Sequence, residues 1–506
     1  MNFPTRTIVI VGGGFSGVTV VANLLRHLHG PARIVLVERA RHIARGTAYA
    51  NRDHKYLLNV PAGRMSAKAS EPLEFLAFAR NRIPHATADD FLPRALYGEY
   101  LEASLLTAEL SAPPDVRLER VRAEVSAVER IEGTASFRLQ LDDDRILIAD
   151  EVVLALGNPA PATLPMFEGL RDSPRYIDDP WAGAASCRPG DTVIIAGTGL
   201  TMADVATAAT ISCRGSVKIH AISRHGLLPP TQTAFRHSPC HGDTATLLRE
   251  ASTSARRLMR AVRRLADDTQ DQGGDWREAI TFVRNIAPAI WQHMPIEERR
   301  RFLRHARSYW DVHRHRLPHD TVSQLDQLRQ EDKLTINAGR ILSAVETGDK
   351  VRVTWRPRGA AGLYSTPGRC SAAGPHAVPH AAPPVLSSTH TQTLLVDRVI
   401  NCTGPDYNPR RSRDPLMRSL LLQHLASPDA LNLGLRTGAN GVLIDSRGRD
   451  VEHLYYIGPQ LRADYWEATA AQELRSHAER LARHLSEPRV SRYNLRNVAA
   501  AVSYGA

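Results

Sequence analysis

The 506-residue chain holds five cysteines, Cys187, Cys213, Cys240, Cys370 and Cys402, and none forms a C-x-x-C pair with another. That spacing argues against a disulfide framework, a zinc site or a dithiol redox centre, so no metal is expected. No apolar run reaches the ~18 residues of a membrane span, and no membrane association is expected. Too little sequence precedes the first strand for a signal peptide, which reads as a cytoplasmic protein. Basic blocks interleaved with aromatics are missing as well. The net charge is +11, yet the arginines are scattered through every segment, as on a solvated basic surface and not a nucleic-acid interface. The remaining composition is that of a globular protein long enough for two or three domains with their own cores.

The most informative stretch is Thr7 to Glu38. A β-branched apolar run, Ile8 to Val11, suits a buried parallel strand. Gly12, Gly14 and Gly17 follow in G-x-G-x-x-G spacing, then a helical segment from Val18 to Leu28, then a second strand from Arg33 ending at Glu38. The first glycine permits a tight turn, the second lets backbone approach a pyrophosphate, and the third lets helix pack on strand. The helix N-terminus then faces the phosphates. Glu38 can accept hydrogen bonds from an adenosine ribose. In this β-α-β setting the pattern reads as dinucleotide binding; the alternative is a glycine-rich structural turn.

After Glu38 a polar, loop-like stretch should run along the bound cofactor, with Asn59, Arg64 and Ser66 as contacts on the flavin side. Helices are expected over about 71–82 and 94–110. From Val116 come alternating strands, a turn at Glu132–Gly133 and a strand ending at Gly157. This texture recurs from Leu334 to Gly404, including an S-A-V-E stretch in each copy, and so reads as an internal duplication. The second copy has its own phosphate loop in Asp191 to Ala206, with Gly197 and Gly199, but Met202 at the sixth position. Its next strand leads into Ser223–Arg224–His225, a cation where the first copy has Glu38. An arginine there can pair with a 2′-phosphate and favour NADP; it can equally be a surface arginine capping a strand.

Residues 244–330 read as an arginine-rich helical insertion. Phe302, Ala306, Tyr309, His313 and Leu317 recur at helical spacing as one apolar face beside a basic stripe of Arg300, Arg304, Arg307, Asp311 and Arg314, which reads as a solvated face. His313 is either a satisfied core histidine or a functional one. Residues 356–390, rich in Pro, Gly, Ala and Ser, read as a disordered loop without chemistry. Near the C-terminus a strand ends in Gly458–Pro459, and a core-facing helix follows.

The stretches IVIVGGGFSGV, GTAYA, LLNVPAGRMSA, GTGLTMADV, SRHGLLP, WDVHRHR, VINCTGP and IGPQLRADYWEATAAQELR cover nearly the whole chain in order. Together they resemble a bacterial FAD/NAD(P)-binding flavoprotein family, mostly uncharacterised, and more distantly the flavin N-hydroxylases and Baeyer–Villiger monooxygenases. The resemblance implies an α/β fold: two Rossmann-like dinucleotide-binding domains, for FAD and NADP, with small antiparallel β excursions and a helical insertion. The expected domains are 1–165, the first part of the FAD-binding domain; 166–345, the NAD(P)-binding domain with its insertion; and 346–506, the end of the NAD(P) domain and the last part of the FAD domain. Gly12, Gly13, Gly14, Ser16, Gly17, Glu38, Asn59, Val60, Met65, Val125 and Gly157 would bind FAD, with Gly458 and Pro459 near the flavin ring. Gly197, Gly199, Leu200, Thr201 and Arg224 would hold NADPH, and Thr403–Gly404 matches a short linker motif. Arg64, His313 and Arg314 are the candidates near substrate.

The expected activity is that of an FAD-dependent, NADPH-using monooxygenase acting on a small-molecule substrate with O2, with N-hydroxylation of an amine or amino acid preferred on the resemblance alone. Two alternatives stay open: an NADPH oxidoreductase without oxygen insertion, and a non-catalytic flavin-binding partner protein. A homo-oligomer is also left open.

Overall fold

The computed structural model describes residues 5–50, 56–181, 186–232, 240, 242–358 and 390–487. The first sheet runs β15-β16-β7-β1-β2-β3. Its centre is β1 (Arg6–Val11) between β2 (Ala32–Glu38) and β7 (Glu151–Leu154), all parallel. Strands covered on both faces must be apolar on both: Ile8 and Ile10 face a core shared with helices, Val9 a core shared with Val128, Phe137 and Leu139, and all three have no solvent exposure. β3 (Val116–Arg122) extends one edge in parallel. At the other, β16 (Asp450–Tyr456) pairs parallel with β7 and antiparallel with β15 (Val442–Ile444), so the C-terminal part of the chain completes the N-terminal sheet. Helix α1 (Phe15–His27) packs on this sheet beside α2 (Arg94–Leu110) and a C-terminal helix over Ala471–Ser486, within one core that includes Leu24, Leu105 and Leu481. The small antiparallel sheet β4-β5-β6 spans Val125–Arg130, Phe137–Leu141 and Ile146–Ala149.

The second sheet runs β13-β12-β11-β10-β9-β14-β8. Its parallel part is β8 (Tyr176–Ile177), β14 (Arg398–Asn401), β9 (Thr192–Ala196), β10 (Lys218–Ser223) and the first half of β11 (Leu334–Thr347). The second half of β11 turns into an antiparallel meander with β12 (Lys350–Pro357) and β13 (Gln392–Val396). The two copies therefore solve the same excursion differently: β3 and β4 are separate strands in separate sheets, whereas β11 is continuous. Arg356 and Pro357 belong to β12 and not to the expected loop, whose residues 359–389 lie outside the described part.

Helix α3 (Leu200–Ser212) follows β9. The insertion is a chain of short helices: α4 (Thr244–Thr253), α5 (Ala255–Asp271), α6 (Trp276–Asn285), α7 (Ala287–His293), α8 (Ile296–His305), α9 (Arg307–Arg314) and α10 (His319–Gln330). The single apolar face expected from Phe302 to Leu317 is not continuous. The helix breaks at Ala306 (φ −110°, ψ −24°), and Leu317 lies beyond α9 in a bridge with Thr231. Among the described residues no helix is long and apolar enough to cross a membrane.

Candidate functional site

The first glycine loop is shaped by backbone contact. Gly12 has φ +102°, and a Cβ there would stand 2.3 Å from the Ala155 carbonyl oxygen on the neighbouring strand. At Gly17 a Cβ would stand 1.9 Å from the Gly12 carbonyl, so only glycine lets α1 approach this closely. Gly14 is the N-cap of α1, and the N–H groups of Phe15 and Ser16 belong to the first turn, which a helix leaves without intrahelical acceptors. Glu38 at the tip of β2 accepts from the Gly13 N–H at 2.6 Å and the Ala40 N–H at 2.7 Å, so its carboxylate is anchored beside the loop. Val125 opens β4 in the core, and Gly157 (φ +70°) follows β7 with open space around it.

The second loop repeats this backbone. Gly197 has φ +117°, and its Cβ would stand 2.4 Å from the Cys402 carbonyl. Gly199 caps α3 with open space in front of it; Leu200 and Thr201 form its first turn. Gly404 (φ +85°) stands where Gly157 stands in the first copy, and Thr403 donates to Asn401 Oδ1 through its hydroxyl at 2.7 Å. Met202 fills the place of the third glycine with a fully buried side chain. The tip of β10 differs from the sequence reading. The Gly12 N–H donates to Val37 O and the Gly197 N–H to Ile222 O, both at 2.8 Å. The residue after that carbonyl is Glu38 in one copy and Ser223 in the other, so Ser223, not Arg224, occupies the Glu38 position. Its hydroxyl meets Thr198 Oγ1 at 2.8 Å. Arg224 is exposed one residue further on, 3.4 Å from Ser308 Oγ.

Asn59, Val60 and Met65 lie in the turn that carries Arg64, a short 3-10 segment over Ala62–Arg64. The C-terminal helix clamps this turn: Gln472 Nε2 donates to Arg64 O at 3.1 Å, and Arg475 donates to Ser66 O at 2.8 Å. Gly458 (φ +146°) precedes Pro459, and a Cβ there would meet the Tyr456 hydroxyl at 2.8 Å. Beside the turn opens a cavity of about 580 Å³ lined by Arg64, Thr281, Arg284, Asn285, Glu473, Arg475 and His477, among others. Arg284 donates to Glu473 Oε1 at 2.5 Å, while Glu473 Oε2 is buried without a partner among the described residues. Burial, then the charge of Arg284, lowers the Arg64 pKa; burial, then Arg480, lowers that of His477 to about 4, leaving it neutral near pH 7.

The other two residues expected near substrate do not line this cavity. His313 is exposed, its Nδ1 2.7 Å from Tyr309 O and its ring edge-on to Trp276, so it is neither a core histidine nor part of the cavity lining. Arg314 is a half-buried staple: its Nε donates to Glu467 Oε2 at 2.6 Å, and Trp310 Nε1 donates to Oε1 at 3.0 Å. Burial raises the Glu467 pKa, but the charge and hydrogen bond of Arg314 outweigh it and hold the carboxyl below its usual value. The cavity residues Arg284, Glu473 and Arg475 were not singled out from sequence. Glu473 and Arg475 sit in the quoted IGPQLRADYWEATAAQELR stretch, a usable signal; Arg284 meets its partners 188 and 189 residues away, with no local signal.

Both loops fit a dinucleotide: each offers a helix first turn to a phosphate, with nothing within 4 Å where a Cβ of Gly199 would stand. Residues 9–159 match a family model described as FAD-NAD(P)-binding. No curated protein matches the chain in sequence. Among solved structures, the ornithine N-hydroxylase of Kutzneria sp. 744, solved with reduced FAD, NADP+ and L-ornithine, has a TM-score of 0.59 at 15% identity over 95% of this chain and 99% of that one. The FAD-bound cadaverine monooxygenase of Erwinia amylovora has a TM-score of 0.60 at 11% identity over 96% of each chain. L-lysine 6-monooxygenase from Pseudomonas syringae has 0.58 at 14%, over 94% of this chain and 98% of that one. The chain thus shares the fold of these flavoenzymes, and its N-terminal unit matches the FAD-NAD(P)-binding family model.

Proposed function

We propose that this chain is an FAD-dependent, NADPH-using monooxygenase that hydroxylates the nitrogen of a small amine, with an amino acid as the favoured substrate. The observation that carries this reading is the cavity beside the Arg64 turn. It is an open cleft between the helical insertion on one side and the C-terminal helix on the other, and its lining has charges of both signs. The first loop would hold FAD, whose chemistry when bound would carry two electrons from NADPH to O2, one oxygen atom going to the substrate nitrogen and the other leaving as water. The chain's own residues position the substrate. Arg64, Arg284 and Arg475 suit a substrate carboxylate, and the same cations lower the pKa of a nearby amine, favouring the neutral, nucleophilic form. The Glu473 carboxylate on the same wall offers the opposite charge to that amine. The bonds of Glu467 to Trp310 and Arg314 hold the insertion against the first unit beside the cavity.

The test follows NADPH oxidation, hydrogen peroxide and hydroxylamine product with L-ornithine, L-lysine, cadaverine and no amine. An amine should accelerate NADPH oxidation and yield hydroxylamine, with the two amino acids ahead of cadaverine. NADPH oxidation indifferent to every amine, with all oxygen recovered as peroxide, would overturn the proposal in favour of electron transfer without oxygen insertion.

A further inference from the structure

The chain crosses between the two nucleotide units twice, in 155–163 and 402–409, and the two passages lie side by side. Pro161 and Pro405 form an antiparallel bridge, the Asp406 N–H donates to Ala160 O at 3.1 Å, and Tyr407 Oη donates to Asn158 Oδ1 at 3.0 Å. Two adjacent passages define an axis and leave rotation about it open, which is a hinge. On one side the insertion is stapled to the first unit through Glu467. A different contact reaches the helix of the second phosphate loop. Arg94, the first residue of α2, donates from Nε to Leu57 O at 2.9 Å and from a terminal nitrogen to Asp204 Oδ2 at 2.7 Å. Its guanidinium also lies 5.1 Å from the centre of the Trp181 ring, which meets Tyr56 edge-on. Arg94 and Asp204 are only 9% and 8% exposed.

We infer that Arg94 and Asp204 are positioning residues that lock the second nucleotide unit at its working angle to the first. Leu57 leads into the Asn59–Met65 stretch, and Asp204 lies one turn beyond the start of α3. One planar fork therefore ties the flavin-side segment to the phosphate-loop helix. Directed contacts of this kind suit arginine and not the point charge of lysine. A buried ion pair can often be replaced by apolar residues without loss of stability, so geometry is the better reason for this one. The inference rests on the two-cofactor reading above.

The test uses the full-length Arg94→Met/Asp204→Leu double variant, which leaves no buried charge unpaired, with Arg94→Lys as the conservative comparison. The double variant should keep its FAD content and bind NADP+ with nearly unchanged affinity. Its anaerobic flavin reduction by NADPH should slow by about 10- to 100-fold, as a misplacement near 1 Å can cause. Hydrogen exchange over 56–60 and 200–208 should quicken, and Arg94→Lys should fall between the double variant and the parent. A folded double variant with parental reduction rate and exchange would overturn the inference. If the parent itself is not reduced by NADPH, the two-cofactor reading fails, and unchanged exchange in the double variant would then still refute the lock.

Discussion

The two glycine loops have nearly the same backbone on different side chains. In both, the first glycine is left-handed and pressed against the carbonyl of the next strand, and the second caps the following helix with nearly the same angles: φ −77°, ψ −166° at Gly14 and φ −88°, ψ −162° at Gly199. The phosphate cradle is thus a backbone object, and two glycines suffice to make it. Around it the copies diverge: Gly13 and Glu38 in the first become Thr198 and Ser223 in the second, and Gly17 becomes Met202. The first loop presents an anchored carboxylate, suited to a ribose hydroxyl. The second presents a hydroxyl followed by a guanidinium, suited to a phosphate.

The third glycine is where the copies differ most, and the largest effect is expected there. Gly17→Ala would press a methyl to 1.9 Å from the Gly12 carbonyl, so helix and loop must part. Overpacking of this kind costs about 1–3 kcal/mol, and the displaced loop should no longer hold flavin. Flavin absorbance per mole of purified protein, with the melting temperature alongside, checks this. A yellow variant of parental stability would mean that the first loop tolerates a side chain as the second tolerates Met202.

What could be read in advance follows from how local each feature is. The glycine loops, their strands and the recurrence of the S-A-V-E stretch are short-range patterns, and a helix follows each loop as the strand–glycine–helix order implies. The three-part domain division remains a proposal built on those patterns. Features made by contacts across the chain were not legible. Arg314 was a candidate near substrate, and its bond to Glu467, 153 residues away, had no local signal. His313 fell on an apolar face only while the helix ran unbroken; the break at Ala306 turns it towards solvent. Arg224 took the Glu38 position because a strand's last residue cannot be fixed from sequence to better than one position, and here one position decides which side chain faces the loop.

That one-residue offset sharpens the second comparison. If Ser223 and Arg224 together receive a 2′-phosphate, Arg224→Ala removes a charge-assisted contact worth about 1.5–3 kcal/mol, roughly a 10- to 150-fold rise in KM for NADPH. The KM for NADH should barely move. Steady-state KM for both nucleotides decides it: an equal change for both would make Arg224 a surface residue bonded to Ser308 and nothing more.

The smallest expected effect concerns the carboxylate that the second copy lacks. Glu38 uses both oxygens on backbone donors, Gly13 and Ala40. Glu38→Gln keeps one acceptor but turns an amide N–H2 towards the other donor, so a single backbone N–H loses its partner while the loop keeps its glycines. The loss is about 1 kcal/mol, roughly fivefold in FAD affinity, because most of the cradle is backbone. Titration of apoprotein with FAD, followed by flavin fluorescence, measures it. A loss of a hundredfold or more would mean that the carboxylate and not the backbone dominates the first site, and that the likeness of the two loops is one of shape alone.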